Sequence, residues 1–205
     1  MTTDPRDQPN DRHGFAVYGV FAIASSAQCA AIAELRRAML SGVDRPPAYV
    51  SAPAHVTVKR LFASISNVGD IQEAIHAVAE STPPFWIEFD GDRDDGEFPG
   101  NDGSSLTVPV TLTPDLVAIN SALESTISPL AGYEFGAPEY RPHMTVYQDA
   151  SPEEAGRGLR LAKGLKLGNG FRVESLELMA RTAPFRGGRW QSLASFDLDI
   201  WGAEN

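Results

Sequence analysis

The chain has 205 residues, 42% of them hydrophobic and 21% charged, with a formal net charge of −10. That composition allows a packed core and argues against global disorder, while the acidic balance disfavours long RNA or DNA, whose general binders carry a basic excess. A single cysteine, Cys29, excludes an internal disulfide; no Cys/His cluster has zinc-ligand spacing, and no apolar run approaches the ~20 residues that cross a bilayer.

Residues 1–13 are polar and proline-bearing, lack the apolar core of a signal peptide, and are expected to form a disordered tail on a cytoplasmic protein. Phe15 to Ala22, which includes Tyr18, is apolar and β-prone and reads as a buried strand. Ser25 or Ser26 caps a helix to about Leu40, with Ile32 and Leu35 facing the core and Arg36 and Arg37 facing out. After a loop over 41–47 comes a strand holding Ala54-His55-Val56-Thr57-Val58 and ending near Leu61. Asp70 and Glu73 predict a capping box for a helix over 71–80, and Pro83-Pro84 then break the chain before a strand from Phe85 to Phe89. The turn-rich acidic stretch 91–103 separates two halves, about 14–90 and 104–201.

The second half repeats the plan. Leu106 to Leu112 is a strand in which Pro109 marks an edge or a bulge. Thr113-Pro114-Asp115 starts a helix to about Ile127. A loop leads to the strand Pro142-His143-Met144-Thr145-Val146, and Ser151-Pro152-Glu153-Glu154 opens a helix to about Lys166. Phe171 to Ala180 and Trp190 to Ile200 are strands joined by an arginine-rich loop, and 202–205 is a tail. Each half therefore runs strand, helix, loop, His-x-Thr-x strand, helix, strand. An internal duplication explains this order. The fold class expected is α+β: one bilobal domain over 14–201, its two pseudo-symmetric lobes carrying antiparallel sheets that flank a central cleft, with helices outside.

In a strand successive side chains turn to opposite faces, so each His-Thr pair shares one face, roughly 6.5–7 Å apart. Val56, Val58, Met144 and Val146 face the other way, into the core. His55, Thr57, His143 and Thr145 thus supply two imidazoles and two hydroxyls, enough for acid–base work on a phosphate. Candidate phosphate-binding cations are Lys59, Arg141 and Arg181, with Arg60, Arg186 and Arg189 nearby. By alternation Lys59 joins the histidine face, and Arg60 points away unless a bulge intervenes. Tyr18, Phe62, Tyr147 and Trp190 are candidates to stack a base.

With two His-x-Thr-x motifs (His55-Val56-Thr57-Val58 and His143-Met144-Thr145-Val146), the Pro-His opening of the second and the late Trp190, the chain resembles the 2H phosphoesterase superfamily. That group includes bacterial 2′-5′ RNA ligase (RNA 2′,3′-cyclic phosphodiesterase) proteins and plant-type cyclic nucleotide phosphodiesterases. The resemblance covers most of 15–200. It implies a phosphodiesterase acting on 2′,3′-cyclic phosphates or 2′-5′ linkages of small nucleotides or RNA ends, with His143 as base and His55 as acid in hydrolysis. No cofactor or metal and no membrane are expected, and the protein is expected to act as a monomer. One departure is visible: the RNA ligase branch usually places an arginine soon after the second motif, where this chain has Tyr147-Gln148. Two other readings compete. A non-catalytic nucleotide- or RNA-binding module has no need of both His-Thr pairs. A two-histidine metal site lacks a carboxylate within either motif.

Overall fold

The structure is a computed structural model that describes residues 15–44, 46–64, 67–90, 104–130, 140–148, 150–181 and 189–199. The acidic stretch 91–103, both tails and Arg186 lie outside the described residues. In chain order the first half is β1 (Phe15–Ile23), α1 (Ser26–Met39), β2 (His55–Ser64), α2 (Val68–Glu80) and β3 (Phe85–Glu88). The second is β4 (Leu106–Pro109), α3 (Pro114–Ile127), β5 (His143–Tyr147), α4 (Pro152–Ala162), β6 (Gly170–Val173), β7 (Ser175–Arg181) and β8 (Trp190–Asp197). Short 3-10 helices span Ala48–Ser51 and Ser128–Leu130.

The local chemistry explains most helix starts. Ser25 accepts from the Gln28 N–H, and the Gln28 side chain returns to the Ser25 N–H, closing a capping box on α1. Ser151 and Glu154 do the same for α4, and Thr113 with Pro114 opens α3. Strand β2 runs on to Ser64 and β4 stops at Pro109, and three larger expectations shift. Helix α2 starts earlier, after Asn67, so Asp70 lies in its first turn, where its charge favours the helix N-terminus, rather than capping it. Helix α4 stops at Ala162. The stretch 171–180 is two strands rather than one, because β6 joins a different sheet from β7.

Six antiparallel strands form the main sheet in the order β4-β5-β2-β1-β7-β8, and β3 pairs with β6 in a second sheet. The duplication is visible in that order. Strands β4-β5 and β2-β1 mirror each other about the β5/β2 seam, β3 and β6 pair across it, and helices pack as α1 on α4 and α2 on α3, one from each half. The two motif strands meet in the sheet through one antiparallel pair, Val56 opposite Met144, and the halves are joined again where β1 pairs with β7, from Val17 opposite Arg181 to Ala22 opposite Leu176.

Helices cover one face of the main sheet, where Val56, Val58, Met144 and Val146 are fully buried. Burying each of those side chains contributes about 1.5–3 kcal/mol. A one-residue slip that turned all of them outward would cost as much as a domain's whole stability of about 5–15 kcal/mol. The register that exposes the histidines is therefore fixed by the apolar residues between them. Arg36, expected to face out, is instead 2% exposed. It follows Ile32 by four residues and precedes Met39 by three, which places it on the buried stripe of α1. Among the described residues no helix is long and apolar enough to cross a membrane.

Candidate active site

The Val56–Met144 pair sets the geometry. In an antiparallel register it places His55 across from Thr145, and Thr57 across from His143, on the face away from the helices. The two imidazoles are then diagonal neighbours, which in a regular ladder lie about 7–8 Å apart. Thr57 and Thr145 stand beside them on the same face of the sheet.

The same irregularity follows both motifs. In β2, Phe21 lies opposite Thr57 and Val20 opposite Lys59, leaving Val58 as an extra residue. In β5, Thr107 lies opposite Thr145 and Leu106 opposite Tyr147, leaving Val146 extra. Each motif thus ends on a β-bulge at its fourth residue. A bulge shifts alternation by one. Lys59 accordingly turns to the helix side and pairs with Glu124 of α3, while Arg60 takes the open face opposite Gly19. Tyr147 likewise turns inward, buried at 1% exposure with its hydroxyl donating to the Ala155 carbonyl at 3.3 Å. Gln148 stands at the place in the second half that Arg60 holds in the first. The bulged strand β2 is tied down from the other half: Asn120 Nδ2 donates to the Val58 carbonyl at 2.7 Å and the Tyr140 hydroxyl to the Thr57 carbonyl at 3.0 Å.

Both imidazoles are oriented in the same way. His55 Nδ1 lies 2.8 Å from the Pro53 carbonyl and His143 Nδ1 lies 3.0 Å from the Arg141 carbonyl. A carbonyl only accepts, so Nδ1 carries the proton in each bond and Nε2 is left for chemistry. Their surroundings differ. His143 is exposed, whereas half-buried His55 stacks on Phe21 with ring centroids 3.9 Å apart and planes 18° apart. Trp190 meets the edge of Phe21 at 5.2 Å. A Cβ at Gly19 would lie 2.3 Å from the Phe21 ring, so only glycine leaves that ring its place. Burial lowers the His55 pKa to about 3; the Pro53 bond opposes the shift, and the positive charges of Arg36, Arg60 and His143 add to it.

The remaining candidates divide. Trp190 lies beside the site through Phe21. Arg181, opposite Val17, shares the open face but stands at the far end of β7 and is buried. Arg141 is exposed, and its carbonyl holds His143. Tyr18 packs in the core at 2% exposure with Val20 and Ala22, so it presents no ring for stacking. Tyr147 is excluded for the same reason, and Lys59 by its turn toward α3. The side chain of Phe62 lies outside the described residues. Phe21 is not among the sequence candidates, because its apolar run offers no sign that it faces the site. Arg60→Met is expected to raise KM for a phosphate substrate by about tenfold or more, the worth of one charge-assisted hydrogen bond. Lys59→Met should leave KM unchanged. Steady-state kinetics on the pair checks the bulge, and equal effects would sink it.

The 2′-5′ RNA ligase superfamily model matches residues 24–184. The chain belongs to that superfamily. Membership supports phosphoesterase activity in the broad sense. No curated protein matches this chain in sequence. Among solved structures, TT0787 of Thermus thermophilus is similar at 16% identity and a TM-score of 0.63, over 89% of this chain and 98% of that one. E. coli LigT complexed with 3′-AMP is similar at 15% identity and a TM-score of 0.56, over 90% and 98%. LigT complexed with phosphate gives 13% identity and the same TM-score of 0.56 over the same shares. At these identities the likeness shows a common fold.

Proposed function

We propose that this protein hydrolyses 2′,3′-cyclic phosphates, or 2′-5′ linkages of small nucleotides or RNA ends, by two-histidine acid–base catalysis without a metal. The observation that carries the reading is the seam itself. Two imidazoles, each fixed through Nδ1 by a carbonyl two residues upstream, stand diagonally across the seam on the sheet face that Thr57 and Thr145 share. Solved structures of E. coli LigT with 3′-AMP and with phosphate support a small nucleotide as the substrate class.

The chemistry follows from what that face offers. Water attacks phosphorus in line and must lose a proton, and the departing sugar oxygen must gain one. One neutral and one protonated imidazole on opposite sides meet both needs. Stacked on Phe21, His55 enters neutral, so its Nε2 can take the water's proton, although burial makes it a weaker base than a free imidazole; exposed His143 then donates to the leaving oxygen. This reverses the roles that the family resemblance implies. The Thr57 and Thr145 hydroxyls donate to the equatorial oxygens as their charge grows, and Arg60 adds a fixed positive charge.

The test is hydrolysis of the four nucleoside 2′,3′-cyclic phosphates, and of 2′-5′-linked dinucleotides, in excess EDTA, with products read by phosphorus NMR. Turnover that survives the chelator is expected, and the 2′- or 3′-phosphate product identifies the bond broken. Activity that disappears with the chelator and returns with a divalent ion would overturn the metal-free mechanism. Intact substrate in every assay would overturn the reading itself.

A further inference from the structure

A buried arginine lies under the seam. Arg36 of α1 is 2% exposed, yet every polar partner the structure gives it is a backbone carbonyl. Its Nε donates to Val146 at 2.9 Å and its Nη2 to Thr145 at 2.7 Å. Its Nη1 donates to Ala52 at 2.7 Å and to Tyr49 at 3.3 Å. These acceptors are not scattered. Thr145 and Val146 are the last two residues of the second motif, at the point where the bulge interrupts the ladder. Tyr49 and Ala52 belong to the turn that leads into the first motif, and Ala52 stands one residue before Pro53, whose carbonyl fixes His55.

The pseudo-symmetry sharpens the point. In the first half the carbonyls of Thr57 and Val58 are held by two neutral groups, the Tyr140 hydroxyl and the Asn120 amide. In the second half one guanidinium holds both equivalent carbonyls and reaches on to the approach of the other motif. A neutral side chain would suffice for the carbonyls alone, as Asn120 shows. Burying a cation costs several kcal/mol before its bonds are counted. What the guanidinium provides beyond an amide is a rigid planar fork with five donors, able to lock two chain segments from different halves at once.

We propose that Arg36 is a positioning residue for the reaction: it fixes the bulge of the second motif and the lead-in to the first in one mutual geometry, and so sets the spacing of the two imidazoles across the phosphate. It touches no substrate, because it lies on the helix side of the sheet. The inference rests on the two-histidine reading for its kinetic test only.

The experiment compares Arg36→Lys, which keeps the charge but loses the fork, and Arg36→Met, which loses both, with the wild type. Thermal unfolding measures the folded fraction, and kcat and KM for a 2′,3′-cyclic nucleotide are expressed per folded molecule. Misplacement of about 1 Å in a catalytic group lowers rate by about 100-fold. Folded Arg36→Lys is therefore expected to lose about 10- to 100-fold in kcat with little change in KM. Nitrogen NMR of the imidazoles gives a readout free of substrate. The wild type should show Nδ1-protonated His55 and His143, and Arg36→Lys should mix the tautomers of at least one. Wild-type kcat per folded molecule with unchanged tautomers would overturn the proposal, as would a loss of activity that only tracks loss of folded protein. A wild type without turnover would count against the function alone, and the tautomer signals would still decide the part played by Arg36.

Discussion

Replacing His143 with alanine lowers kcat for a 2′,3′-cyclic phosphate by about 10²–10⁴-fold, the usual worth of a positioned general acid or base, and leaves the melting temperature unchanged. The second half of that expectation follows from placement. His143 is exposed at the head of β5, and among the described residues its ring bonds to a carbonyl two residues away. His55→Ala should cost as much in rate but also a little stability, because it removes an aromatic stack on Phe21 worth about 0.5–1.5 kcal/mol. The double variant discriminates further. Two groups that move protons in one transition state are not independent, so removing both should cost little more than removing one. Losses that multiply would mean two separate steps, and either single variant within a few-fold of wild type would remove that histidine from the chemistry.

Much of the site is legible in the sequence because strand alternation is a strong rule. Apolar residues on both sides of each histidine predict the register, and the buried valines hold it. The repeat makes the pairing of the two motifs legible as well, and in the observed sheet β4-β5 mirrors β2-β1 about their seam. What escapes is the bulge. An extra residue in a strand has no compositional mark when it is a valine, so Val58 and Val146 read as ordinary core positions. Every assignment after them then shifts by one: alternation puts Lys59 and Tyr147 on the open face, yet both fold inward, and Arg60 moves the other way. Arg36 escapes for a different reason. Its spacing from Ile32 and Met39 puts it on the buried stripe, but charge argues for solvent. The carbonyls that satisfy it come from 13 to 110 residues away in sequence, beyond the reach of any local pattern. Tyr18 fails by alternation of the ordinary kind: it lies in phase with Val20 and Ala22, both core residues.

The largest effect expected outside catalysis is on stability in acid. His55 titrates at about 3 in the folded protein, against about 6.5 for an unperturbed imidazole. Between those values the unfolded chain binds one proton that the folded chain does not, so stability falls as the pH drops from about 6.5, by about 1.4 kcal/mol per unit, and levels off near the folded pKa. Carboxylates such as Glu124, whose pKa is lowered chiefly by its bond to Lys59, also weaken the fold in acid. The informative quantity is therefore the difference between wild type and His55→Asn, whose amide can still donate toward Pro53 but does not titrate. Urea unfolding from about pH 7 down to about 4.5 should show the wild type losing stability more steeply, by close to one proton's worth. Parallel curves would mean that His55 protonates in the folded state as readily as in the unfolded one. The stack on Phe21 would then not keep it neutral, and the part of general base would return to His143, where the family resemblance puts it.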